Sequence, residues 1–395
     1  MNISISAPGI PANRRPQRTF GVEEEFLLVD PITGQPLPVA ERSLRRIAKR
    51  ATSGQDPSLT VEVQQEQLEA VGPVCSTLQE LAAGIRKGRE RADEAARSVG
   101  ARAVALATSP FATTPTLVPR PRFLEMAGRF GLTLREQLTC GFHVHVQIAS
   151  GEEGVAVLDR IRAWLPVVLA LSTNSPFWQG NDSGYASFRY QAWNRWPTAG
   201  PCERFGSERE YHRHVRSLLA SGVLLDEGMV YFDARLSRNH PTVEVRIADV
   251  CMEASHATAI AAVVRALVER AVEEWQAGTS APRLSAAQLR MAAWRASQAG
   301  VDGTLLHPVL NIPCRASDAV HALLAHIRPA LASSGDEEQV SLELSRILDS
   351  GTGSRRQRET MMNSQRLSAV VMDAIERTHD VITTPRRQSR RLQAT

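Results

Sequence analysis

Aromatic side chains make up only 5% of the 395 residues, so a core must rest on Leu, Val, Ile and Ala. Cysteine is rarer still, with 5 in the chain. No CxxC pair or Cys/His finger spacing occurs among them, which excludes a disulfide framework and a finger-type zinc module. No stretch reaches the run of about 18 apolar residues that a membrane span needs. The longest, Ala254 to Val268, is interrupted by Ser255, His256 and Arg265. Met1 to Arg18 lacks the apolar core of a secretory signal. Charge of one sign is lacking as well: 46 Lys and Arg against 42 Asp and Glu leave +4. That excess lies largely in Arg14-Arg15, Arg386-Arg387 and Arg390-Arg391, with no aromatics interleaved, which argues against a nucleic-acid footprint. A cytoplasmic protein without nucleic-acid or membrane partners is the expectation.

An apolar content of 43% excludes disorder over most of the chain. The pattern predicts strands over Thr19–Asp30, Val61–Val71 (one strand or a strand pair), Ala103–Ala107, Phe142–Ile148, Leu224–Asp233 and Thr242–Asp249. Thr77 and Glu80 have capping-box spacing before Leu78, Leu81 and Ile85, and open a helix running toward Gly100. Val155–Thr173 reads as one helix kinked at Pro166, and Asn174–Pro201 as a long irregular loop. From Ala254 onward helices dominate: Ala254–Gln276, Ser285–Ala299, Ala316–Ala332, Glu337–Leu348 and Glu359–Arg377, with a Gly/Arg loop at Gly351–Arg358. Strands first and helices last predict an α+β fold on an antiparallel sheet. We expect one catalytic domain over 19–378, between a disordered arm at 1–18 and a flexible basic tail at 379–395.

Successive strand residues point to opposite faces. Glu23 and Glu25 therefore share a face, with Val22, Phe26 and Leu28 opposite. His143, His145 and Gln147 share a face, against Val144, Val146 and Ile148. Glu244 and Arg246 share a third, against Val243, Val245 and Ile247. A merely solvated strand face carries Thr, Lys, Ser and Gln; these carry Glu, His and Arg. Together, beside a loop holding Trp178, Trp193 and Trp196, they predict the floor of a concave site. Three Glu without a nearby Cys point to Mg²⁺ or Mn²⁺ over zinc, although His143 and His145 alone resemble half a zinc site. Glu69 could add a carboxylate, whereas Glu66 reads as solvated. No P-loop or Rossmann fingerprint is present. Gly351 to Arg358 offers glycine amides with Arg355 and Arg358 as phosphate donors instead.

These motifs resemble a known family. Gly21 to Glu25, Gly141 to Val146, Asn174 to Gly180, Arg195 to Pro201, Val243 to Arg246 and Gly351 to Arg358 are similar, in order, to the carboxylate–amine ligases of glutamate–cysteine ligase type 2. The resemblance implies a glutamine-synthetase-like fold, a curved antiparallel sheet of about six strands with helices on one face. It implies ATP-dependent amide formation with Mg²⁺ through an acyl phosphate, from an amino-acid donor and an amine acceptor, in a homodimer. By matching position, Glu23, Glu25, Glu69, Glu244 and His143 look like metal ligands, and Arg246 like the cation that meets the transferred phosphate. His145 joins Arg355 and Arg358 as an ATP contact, while Arg189 and Trp196 fall to the substrate. Gln147 stands where many members have Gly, so it would narrow the acceptor pocket. The competing readings are a phosphotransferase, a zinc hydrolase and a non-catalytic binding protein.

Overall fold

The computed structural model describes residues 17–47 and 57–379. The expected arm and basic tail fall outside the described residues, apart from residues 17, 18 and 379. Strands run in chain order β1 (Phe20–Val29), β2 (Ser58–Val61), β3 (Gln67–Val71), β4 (Arg102–Val104), β5 (Gly141–Gln147), β6 (Phe177–Trp178) and β7 (Asn181–Asp182). β8 (Ala234–Leu236), β9 (Thr242–Asp249), β10 (Thr304–Leu306) and β11 (Pro313–Arg315) follow. Seven strands form the main sheet in the order β2-β3-β1-β5-β9-β8, with β4 also on β1. Every pairing in it is antiparallel.

One face of this sheet is apolar. Val22, Phe26, Leu28, Val144, Val146, Val243, Val245 and Ile247 are all buried. Helix Leu78–Arg97 packs against β1, Ala254–Gln276 against β5 and Leu165–Ser172 against β9. Each such side chain is worth roughly 1.5–3 kcal/mol when fully buried, so this rear layer holds the sheet rigid. The capping box of Thr77 and Glu80 starts the first of these helices. One rear-face residue is not apolar: Glu24 lies between Glu23 and Glu25, points backward and is buried against Arg89.

Several expected boundaries move. The helix expected over Val155–Thr173 is two, Gly151–Ile161 and Leu165–Ser172, because Pro166 is tolerated only in the first turn of the second. Leu224–Asp233 is no strand. Asp226 accepts from the Gly228 amide at 2.8 Å and starts a 3₁₀ turn, leaving only β8 extended. Gly351–Arg358 is no loop. Left-handed Gly351 ends one helix, and Gly353–Ser364 begins two residues later. Left-handed Gln365 then separates it from Leu367–His379. Asn174–Pro201 holds the β6–β7 hairpin and a helix, Phe188–Trp193. Asp249 pins this segment to the end of β9, accepting from the Asn174 amide at 2.8 Å, Ser175 Oγ at 2.7 Å and Ser187 Oγ at 2.8 Å.

Asp233, just before β8, is buried beneath Tyr190, whose hydroxyl donates to it at 3.2 Å. Burial pushes its carboxyl from 3.8 up to about 7, the Tyr190 bond offsetting only part of that. The folded state therefore holds this proton more tightly than the unfolded chain, and its contribution to stability is lost as pH rises from about 4 to about 7. Asp233→Asn removes that loss. The Tm of the variant relative to the parent should rise between pH 5 and pH 8 in parallel calorimetric scans; a difference independent of pH would contradict the burial of an ionisable group here.

Candidate active site

The other face of the sheet carries the ionisable residues, and register brings them together. Glu25 on β1 lies opposite Glu69 on β3, and Glu23 opposite His143 on β5. His145 on β5 lies opposite Glu244 on β9, which in turn faces Arg235 on β8. The β5–β9 register shifts between Phe142 and Val144, where Arg246 and Ile247 of β9 together oppose His143, so the extra residue lies on β9 beside the site. A cavity of about 700 Å³ lies over this floor, walled by Phe123, Met126, Trp193, Trp196 and Tyr231. That volume suits small-molecule ligands.

Charge is unevenly matched across the floor. Glu23 meets His143 Nδ1 at 3.2 Å and His145 Nε2 at 3.4 Å. Burial opposes its ionisation, but these imidazole contacts outweigh burial and hold it below the usual carboxylate range. His143 is buried, and burial together with Arg246 lowers its pKa, giving a neutral ring that donates through Nδ1 and keeps a lone pair on Nε2. Glu25 accepts from the Gly141 amide at 2.5 Å. Glu244 is clamped: Arg235 donates Nε to Oε2 at 2.8 Å and Nη2 to Oε1 at 3.2 Å, and Arg246 Nη1 also donates to Oε1. Burial works to raise the Glu244 pKa, yet Arg246 and Arg235 hold it well down.

Two carboxylates lack such compensation. Burial, then the charges of Glu62, Glu23 and Glu25, push Glu69 well above its ordinary value. Burial and Glu25 push Glu62 up to about 8. Carboxyls this crowded bind either protons or a cation. Glu23, His143 and Glu244 bring ligand atoms within 4.8 Å of one another, and so do Glu25, Glu69 and His143. Oxygen-rich sets with one neutral imidazole suit Mg²⁺ or Mn²⁺, and the residues present fit such an ion.

Glu23, Glu25, Glu69, His143, His145, Glu244, Arg246, Arg189 and Trp196 all line the cavity. Arg189 does so from the floor itself, beside Gly141 on the face of His143. It is 3% exposed, donates to the Ile247 and Arg246 carbonyls at 3.3 Å and stands 3.8 Å from Asp249. Its guanidinium occupies the space a Cβ on residue 141 would take, so any larger residue there would displace Arg189. Trp196 is tied by Nε1 to Gln137 at 3.2 Å and stacks edge-on with Phe130, so it is wall more than contact.

Four assignments are corrected. Gln147 does not narrow the cavity: it is exposed at the end of β5 and accepts from Thr19 Oγ1 at 3.1 Å. Arg355 and Arg358 do not reach the cavity, because they lie on a helix and are engaged elsewhere. Arg355 pairs with Asp302 and donates to the Asp349 carbonyl at 2.9 Å. Arg358 pairs with Asp182 at 2.7 Å. Glu66 is not solvated: it is buried and accepts from the Thr116 amide at 3.0 Å. Sequence reasoning missed Glu62 and Arg235. The alternation Val61-Glu62-Val63 was the available signal for the first; the three-residue strand β8 gave none for the second.

Comparison with known proteins identifies the family. The model of glutamate-cysteine ligase family 2 matches residues 19–377. A Paenarthrobacter aurescens protein named "Putative glutamate--cysteine ligase 2-1" is 54% identical over 367 residues, spanning 92% of this chain and 95% of that one. A Streptomyces avermitilis protein of the same name is 46% identical over 361 residues, 91% of this chain and 99% of that one. Among solved structures, the glutamate–cysteine ligase of Francisella tularensis in complex with AMP shares the fold, with TM-score 0.65 and 14% identity over 93% of this chain and 89% of that one. Matched over nearly its whole described length, the chain belongs to glutamate-cysteine ligase family 2, a family of carboxylate–amine ligases.

Proposed function

We propose that the protein joins an amino-acid carboxylate to an amine at the expense of ATP, with glutamate the donor and cysteine or a related amine the acceptor. The observation that carries this reading is one cavity floor graded from carboxylates at β3 and β1 to arginines at β9 and β8. Phosphoryl transfer needs that pairing of cation-binding and anion-binding groups, and no protein nucleophile. Glu23, His143 and Glu244 would hold one divalent ion, and Glu25 and Glu69, with Glu62 beside them, a second. Such ions supply neutralisation of polyphosphate charge. Arg246 faces the γ-phosphoryl group and stabilises charge developing on it. A donor carboxylate oxygen bonds to the γ-phosphorus and ADP leaves. The neutral amine then bonds to the carbonyl carbon and inorganic phosphate leaves. Arg189, set into the floor beside His143, is the proposed partner of a donor carboxylate.

ATP hydrolysis screened over donor and amine pairs, with mass detection of the amide, tests this reading. Phosphate should be released in step with amide and only when both substrates are present. Release with a single acceptor indicates a kinase, and amide hydrolysis without ATP a hydrolase; either overturns the proposal.

Removing one metal carboxylate should cost more turnover than stability. Glu25→Gln is expected to lower turnover at saturating Mg²⁺ by about a hundredfold or more while circular dichroism stays unchanged. Near-normal turnover would remove Glu25 from the metal site. The purified protein should also contain little zinc, and activity lost to a chelator should return with Mg²⁺ or Mn²⁺. Stoichiometric zinc lost together with activity would favour the hydrolase.

A further inference from the structure

We infer that the buried ion pair Glu24–Arg89 is a positioning device: from behind the sheet it holds β1, and with it Glu23 and Glu25, in place against the strand that carries Glu244. Glu23-Glu24-Glu25 puts carboxylates on both faces of β1, since a strand's side chains alternate with a period of two. Phe20, Val22, Phe26 and Leu28 set which face is buried and carry Glu24 into the core with them. Arg89 receives that carboxylate. It is 2% exposed, reaches the rear face from helix Leu78–Arg97, and grips Glu24 with Nη2 at 2.6 Å and Nε at 3.1 Å.

The same guanidinium ties β1 to the strand that carries Glu244 and Arg246. It donates to the Cys251 carbonyl at 2.7 Å and the Met252 carbonyl at 2.8 Å, just past the end of β9, and to the Thr378 carbonyl at 3.4 Å. β1 and β9 are not neighbours; β5 lies between them. Arg89 thus sets the distance between the two outer strands that supply the Glu23, His143 and Glu244 set. A buried ion pair is weak evidence for stability, since apolar replacements are often as stable or more so, while its best-attested use is to specify register. The pair acts here as a strand-positioning tie for the proposed metal site, and so rests on that reading.

The test is titration calorimetry with Mn²⁺ alone on wild-type protein, Glu24→Gln, Glu24→Asp and a remote core truncation, Leu344→Ala or Ile347→Val, chosen to match their loss of Tm. Wild type and the matched control should bind Mn²⁺ alike. Glu24→Gln should bind at least tenfold more weakly, and Glu24→Asp, which keeps the charge, at least threefold more weakly. If Glu24→Gln does not fold, the Glu24→Asp arm decides. Glu24 variants that bind Mn²⁺ as the control does would overturn the positioning role while leaving the ligase reading intact. A wild-type protein that binds no Mn²⁺ would overturn both.

Discussion

Mutual repulsion among carboxylates on one sheet face is the constraint around which this protein is built. Glu23, Glu25, Glu62, Glu69 and Glu244 all open into one cavity. Left alone, such a cluster would protonate or spread apart. Part of the answer is internal: two imidazoles compensate Glu23, and two guanidinia clamp Glu244. Glu62 and Glu69 receive no comparable partner, and their pKa values rise. The imbalance is local, at the β3–β1 end, and it is the feature a hard divalent cation relieves. The arginine end provides the opposite, a place for a polyanion.

A sheet forced to hold that arrangement needs rigidity from elsewhere. The rear apolar layer supplies most of it, and a few buried polar anchors set its details. Asp249 fastens the segment after Thr173 to the end of β9, which brings Phe188–Trp193 and its Arg189 to the edge of the floor. Gly141 leaves the space that Arg189 fills. Arg89 joins β1 to the segment after β9 from behind. Asp249 and Arg89 are each charged, buried and held by several hydrogen bonds, which makes their positions single-valued in a way packing alone does not.

Period-two alternation made much of this legible. Glu23 with Glu25, His143 with His145 and Glu244 with Arg246 each announce a polar face within one strand, and the structure lays those faces side by side. The helix Ala254–Gln276 and the capping box at Thr77 were equally plain, because their signals are local. What stayed hidden depends on partners far along the chain. Arg235 matters only because β8 aligns it with Glu244, and β8 is three residues long. Arg89 reads as one more charged position on a helix until the fold places Glu24 before it. Arg355 and Arg358 misled because Gly351-Thr352-Gly353 resembles a phosphate loop. The second glycine instead serves packing, since a Cβ there would collide with Asn174. Gln147 misled because alternation predicts direction but not where a strand ends.

The most direct measurement follows an oxygen atom. With the donor's side-chain carboxylate labelled with ¹⁸O, an acyl phosphate requires one labelled oxygen to leave in inorganic phosphate for each amide formed, because the bond made to phosphorus in the first step is kept when the carbonyl carbon is attacked in the second. Mass analysis of the phosphate should show one ¹⁸O per molecule. Unlabelled phosphate alongside newly formed amide would contradict activation of the carboxylate by phosphoryl transfer at this site.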